Sequence, residues 1–169
     1  MSEIRISGIK EESIVDGKGL RYVVFAQGCR HNCPGCFNPS THDFDAGYSI
    51  KVDEIIADIK DNPLLSGVTC SGGDPLEQPQ AFYQLCKSVK DLGKDVWLYT
   101  GYTYDEILKK SESNDAISKL IKYVDVLVDG KFKEDQKSLM LSFRGSKNQR
   151  VIDLKRSLKA GNLIVFQGL

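Results

Sequence analysis

Neither sign of charge prevails in this chain: 23 lysines and arginines stand against 23 aspartates and glutamates. Without a field of one sign there is no global case for nucleic acid or a charged membrane surface as partner. Long apolar runs are also missing, so no stretch would span a bilayer. The opening Met1-Ser2-Glu3-Ile4-Arg5 lacks the apolar core of a signal peptide. Nor is there a repeat, low-complexity tract or linker that would divide the chain. With 169 residues, 41% of them hydrophobic, a substantial core is available, and one domain over 1–169 is expected. Cysteine is present in an odd number, five, with three of them clustered. That is not the distribution of a disulfide framework. Thiols kept free for metal belong in a reducing compartment, so the chain reads as soluble and cytoplasmic.

What the chain does have is concentrated between Gln27 and Asn38. Cys29, Cys33 and Cys36 are spaced C-x3-C-x2-C, directly after the apolar run Tyr22-Val23-Val24-Phe25-Ala26. That run reads as a buried strand delivering the cysteines at its C-terminal end. Pro34 and Gly35 allow a tight loop that turns three sulfurs toward one point. Three such thiolates make a metal or iron–sulfur site with one position open. Two residues are candidates for a fourth ligand: His31 inside the loop, and Cys70 at the end of a later strand. An open site, a cluster closed by Cys70 and a structural zinc are therefore the three readings of the cysteines.

The remaining pattern alternates strand and helix. Arg5 to Lys10 is a short strand candidate ending near Gly8, and Asn38 to Ser49 is a polar stretch. Val52, Ile55, Ile56 and Ile59 recur at helical spacing until Asn62-Pro63 stops the helix. Val68-Thr69-Cys70 is a strand running into Ser71-Gly72-Gly73-Asp74-Pro75. Phe82, Leu85, Cys86, Val89 and Leu92 mark a helix face ended by Gly93, with Cys86 as a core thiol. Val96 to Thr100 is a strand with Trp97 as core, and Thr103 with Glu106 forms a capping box. Ile117, Leu120 and Ile121 continue a helical face, and Val124 to Val128 is a strand ending in Asp129-Gly130. Phe143 to Arg150 reads as a polar loop and Asn162 to Phe166 as a last strand. The order predicts an α/β fold, an incomplete (β/α) barrel of mostly parallel strands, too short for eight repeats. The informative loops all follow strand C-terminal ends, the edge where such folds place ligands. In the loop after Cys70, Gly72 and Gly73 would let backbone approach a ligand, and Asp74 could accept from an ammonium group.

Cys29-x3-Cys33-x2-Cys36 followed by a Gly-Gly-acid loop resembles the radical S-adenosylmethionine superfamily. Within it, several stretches resemble the activating proteins of anaerobic ribonucleotide reductase: Gln27 to Asn38, Ser71 to Pro75, Tyr99 to Tyr102, Val126 to Phe132, and Arg144-Gly145-Ser146 with Asn148-Gln149. Two positions depart from the wider superfamily pattern. Gly35 rather than an aromatic residue precedes the third cysteine, with Phe37 after it, and Asp74 stands where glutamate is common.

The resemblance implies a 4Fe–4S cluster held by Cys29, Cys33 and Cys36, with S-adenosylmethionine chelating the fourth iron. It implies Gly35, Cys36 and Phe37 along the adenine side and Gly72, Gly73 and Asp74 along the methionine amine. One-electron cleavage to a 5′-deoxyadenosyl radical would then place a glycyl radical on the large subunit of anaerobic ribonucleoside-triphosphate reductase. A donor such as flavodoxin would supply the electron. No catalytic side chain beyond the cluster is expected. Activation of another glycyl-radical enzyme, such as pyruvate formate-lyase, and a plain electron-transfer or structural metal module are the competing functions. His42 is expected to be exposed or locally bonded. Arg21, Arg144, Asn148 and Gln149 would either dock a ligand or partner or be solvated.

Overall fold

The structure is a computed structural model and describes residues 2–168. The apolar run after Leu20 becomes β2 (Arg21–Ala26), which pairs antiparallel with β1 (Glu3–Ser13). β1 is longer than the Arg5–Lys10 expected. Its register shifts between Ile6 and Gly8 and again before Ser13, breaking the hydrophobic alternation that marks a strand in sequence. Within the polar stretch, a 3-10 turn at Pro39–Thr41 precedes β3 (Tyr48–Lys51), an edge strand for which the sequence carries no expectation. Its residues are mostly exposed, so no buried face announces it.

From there helices and strands alternate. α1 (Val52–Lys60) buries Val52, Ile55 and Ile59, and carries Asp53 and Glu54 in its first turn and Lys60 in its last, which suits the helix dipole. β4 (Gly67–Gly72), α2 (Pro79–Asp91) and β5 (Asp95–Tyr99) follow. Gly93, just past α2, has φ +77, a conformation glycine adopts without strain. α3 (Tyr104–Ser113) opens with the expected capping box, Thr103 and Glu106 each accepting from the other's backbone N–H. α4 (Asp115–Ile121) is capped by Asn114, and β6 (Val126–Asp129) begins two residues later than expected. The 130–149 segment loops out before β7 (Arg150–Asp153) and α5 (Leu154–Ala160). The last strand expected at Asn162 to Phe166 is only a single bridge, Val165 to Ile152.

The strands form one sheet of order β3-β1-β2-β4-β5-β6-β7. β2, β4, β5 and β6 pair parallel, while β1, β3 and β7 pair antiparallel at the edges. A mostly parallel sheet is thus true of the centre alone, and the hydrogen bonding does not close into a ring. The antiparallel edges have a local cause. β1 turns straight back into β2, and β7 re-enters after the 130–149 loop rather than after a crossover helix.

The two faces of the sheet differ. Tyr22 and Val24, Val68 and Cys70, Val96 and Leu98, Leu127 and Ile152 join the helices in the main core. On the other face, the end away from the strand C-termini is sealed. Arg21 is buried there, bonded to Thr69 Oγ1, to the carbonyls of Lys18 and Val68, and to Asp95. Trp97 packs edge-on against Phe143 and Phe166, each at 5.3 Å. One pleat further along the strands, Phe25, Ser71, Tyr99 and Val128 line a cleft instead. The same face is therefore core at one end and site at the other.

Candidate metal and cofactor site

The cleft has a volume of about 650 Å³ and lies on the helix-free face, at the C-terminal ends of the parallel strands. All three clustered cysteines reach its wall, as free and half-buried thiols. Cys36 Sγ accepts from Asn38 N at 3.4 Å, while the backbone amides of His31 and Asn32 lie near Cys29 and that of Phe132 near Cys33. Burial pushes the Cys29 thiol up to about 11, aided by nearby Asp74 and Cys33 and opposed by those amides. Burial raises Cys33 too, and neighbouring Cys36 adds to the rise. Loading thiolate-ligated metal here therefore releases protons, and the amides are poised to stabilise the sulfur charge that results.

Among the described residues, no three His, Cys, Asp or Glu side chains are drawn together as a single metal ion requires. Three free thiols lining one roomy cleft fit a larger sulfur-ligated group. Cys70 does not join them. It is fully buried on the helix side of the sheet, with its sulfur 3.8 Å from that of Cys86. Cys86 is the core thiol expected, and its contact with the Cys70 sulfur, then burial, push it well above the ordinary thiol range.

Gly72 and Gly73 also line the cleft, but the first atoms that exclude a side chain there are the protein's own. A Cβ on Gly72 would stand 2.4 Å from Ala26 N, and one on Gly73 2.4 Å from Gly28 O. Gly73 N donates to Ala26 O and Asp74 N to Gly28 O, so this loop is stitched to the start of the cysteine loop. Gln27 holds the same junction from beneath, its amide nitrogen donating to Ser40 O and Asp43 O.

Two residues expected beside the cofactor are not on the cleft wall. Gly35, with φ +72, supplies the turn but faces Glu134 outside the cleft rather than an adenine site. Asp74 is fully buried and absent from the cleft wall. Its carboxylate accepts from His31 Nε2 at 2.6 Å, Thr100 Oγ1 at 2.8 Å, Gly101 N at 3.0 Å and Leu76 N at 3.0 Å. Its acceptor positions are taken by the chain itself rather than held open for an ammonium. Phe37 does line the cleft, stacked obliquely on Phe132 at 4.9 Å. Gly145 is small where it must be, since a Cβ there would meet Phe37 at 2.6 Å.

The remaining candidates divide. Arg21 is a buried structural group and docks nothing. Gln149 clips the 144–149 turn, accepting from Gly145 N and Ser146 N and donating to Gly130 O. Asn148 donates to Lys131 O. Arg144 lines the cleft, with its Nε buried and unbonded among the described residues. His42 is half-buried on the cleft wall rather than exposed. Sequence reading missed Lys10 and Lys131, which with Arg144 make the cleft predominantly cationic against one acid, Asp16.

A sequence model described as a 4Fe-4S single cluster domain matches residues 15–152. Over 151 residues the chain is 40% identical to the anaerobic ribonucleoside-triphosphate reductase-activating protein of Escherichia coli (strain K12), covering 84% of this chain and 94% of that protein. The chain belongs to this family of activating proteins. The relative from Vibrio cholerae is 42% identical over 144 residues, covering 80% of this chain and 89% of its own. The relative from Enterobacteria phage T4 is 36% identical over 144 residues, covering 81% and 86%. The family match spans the cysteine loop, the Gly-Gly loop and the 144–149 turn, and so every residue of the cleft wall but Lys10. Among the described residues, no helix is long and apolar enough to cross a membrane.

Proposed function

We propose that this protein activates anaerobic ribonucleoside-triphosphate reductase as a radical S-adenosylmethionine enzyme, with Cys29, Cys33 and Cys36 holding its 4Fe–4S cluster. The observation that carries this reading is the placement of three free thiols on the wall of a cleft that has room for a further ligand. Held by Cys29, Cys33 and Cys36, the cluster would supply one electron for reductive cleavage of S-adenosylmethionine, the chemistry by which a hydrogen would be taken from a glycine of the reductase.

The chain's own residues bind, orient and exclude. Gly72 and Gly73 present backbone to the cofactor beside the cysteines, and Phe37 offers an aromatic face for its base. Lys10, Lys131 and Arg144 suit a ligand bearing a carboxylate. Tyr99, Val128 and the sealed layer around Trp97 close the floor, keeping reactive species from water on that side. No acid–base pair is needed for this chemistry, so the residues work by placement. We read the open sheet as an incomplete barrel within a single domain, whose unclosed side admits a glycine carried by a large partner. A flavodoxin-like donor and a cytoplasmic setting complete the proposal, since free thiols require a reducing compartment.

The test is anaerobic reconstitution with iron and sulfide, reduction, and assay for 5′-deoxyadenosine and methionine. The expected result is cleavage, followed by a glycyl-radical EPR signal when the reductase is added. A fully loaded cluster that yields neither product with the reductase present would overturn the proposal.

A further inference from the structure

We propose that His31, on the cleft wall, and Asp74, behind it, form a latch that fixes the cysteine loop against the Gly-Gly loop, making both of them positioning residues rather than metal ligands. The inference rests on the cluster assignment above and assigns a function to a buried pair which that assignment leaves unused. His31 lies between two of the clustered cysteines, yet its side chain is only 5% exposed and that of Asp74 only 1%. Nε2 and Oδ2 are 2.6 Å apart, and the ring stands edge-on to Tyr102 at 4.5 Å. The carboxylate is itself fixed by Thr100 and by the amides of Gly101 and Leu76, so it is a rigid anchor.

The neighbouring residue repeats the arrangement at the surface. Arg30 Nε donates to Glu77 Oε2 at 2.8 Å, and Tyr102 donates to Glu77 Oε1 at 2.8 Å. Consecutive residues of the cysteine loop therefore bond to two carboxylates three positions apart, just after Gly72-Gly73. Arg30 is 67% exposed and its ion pair contributes little, whereas the His31 pair is shielded from water. A ligand that bridges a cluster and the Gly-Gly backbone needs those two loops at a fixed separation. Loss of the latch should loosen that separation while leaving the three sulfurs able to take iron.

The full-length protein, reconstituted anaerobically and reduced, is titrated with S-adenosylmethionine while the cluster's EPR signal is followed. His31→Ala should hold iron and sulfide as the wild type does, but need about tenfold more S-adenosylmethionine for the half-maximal spectral change. His31→Gln, whose amide can still donate to the carboxylate, should recover to within about threefold. Asp74→Asn should weaken binding similarly, and the double variant His31→Ala/Asp74→Asn should be no worse than either single one.

Three results would overturn the latch: wild-type titration by His31→Ala, loss of iron from it, or weakened binding in Asp74→Asn alone. The last would mean that Asp74 touches the cofactor directly. Circular dichroism verifies folding, and His31→Gln with Asp74→Asn carry the test if the alanine variant does not fold. A wild-type cluster unresponsive to S-adenosylmethionine would instead overturn the underlying reading, and the latch with it.

Discussion

Gly101 lies so close to His31 that a Cβ at position 101 would stand 2.5 Å from the ring's Cδ2. No positive φ is involved, so the need for glycine here is a matter of space alone. Gly101→Ala must therefore push the imidazole away from Asp74 or move the loop after β5. We expect a loss of about 1–3 kcal/mol in urea unfolding, the usual cost of overpacking. S-adenosylmethionine affinity should fall in parallel with that of His31→Ala. Unchanged unfolding and unchanged affinity would show that the loop yields freely.

The cysteine spacing and the strand before it were legible because both are local. Three thiols within eight residues need no fold to be recognised, and an apolar run marks a buried strand wherever it lies. His31 and Asp74 are 43 residues apart, and nothing in either neighbourhood announces the other. Sequence reading took each separately, as a spare ligand and an amine acceptor. Arg21 failed for the same reason: a charge in an apolar strand reads as exposed until Thr69 and Asp95 are brought to it. β3 and β7 are short edge strands of four residues, too brief and too polar at their ends for periodicity to register. Barrel against open sheet depends on strand order, which alternation of elements does not specify.

Arg21 is fully buried, and its guanidinium lies 5.5 Å from the Trp97 ring centroid. Its bonds to Lys18 O, Thr69 and Val68 O pin the β1–β2 connection across the sheet. Arg21→Met fills the space but leaves those acceptors without a donor. The expected cost is about 3 kcal/mol, at the lower end for breaking a buried ion pair because Asp95 remains partly hydrated. Iron content after reconstitution should be unchanged, since Arg21 lies at the sealed end of the face. Equilibrium unfolding and iron analysis of one preparation check both statements.

Alkaline stability follows from the tyrosines. Burial raises Tyr99 well above its ordinary value near 10. Tyr22 is raised as well, by burial first and then by its bond to Asp58. A phenol raised in the folded state contributes stability that is whole below its unfolded value and is lost as pH climbs toward the folded one. Urea midpoints should thus fall once pH passes about 10. Tyr99 also donates to Phe143 O at 2.6 Å, so Tyr99→Phe should cost about 1 kcal/mol at neutral pH. The same variant should show a shallower alkaline fall, and an equal or steeper one would contradict the burial argument.

Cys70 and Cys86 lie on the far side of the sheet from the other three cysteines, which separates the five into two testable groups. Serine at Cys29, Cys33 or Cys36 removes a soft thiolate that iron prefers and should reduce bound iron and sulfide sharply. Because these thiols are half-buried on a cleft wall, their substitution should leave the unfolding midpoint of the cluster-free protein nearly unchanged. Cys86→Ala reverses the pattern: full cluster content, with about 1 kcal/mol lost from the core. Cys70→Ala should behave like Cys86→Ala, because its sulfur packs among helix-facing residues beneath β4 rather than toward the cleft. Iron and sulfide analysis beside urea unfolding resolves the two groups. A Cys70→Ala protein that folds normally and fails to retain four irons would place Cys70 among the ligands and close the site to a chelating cofactor.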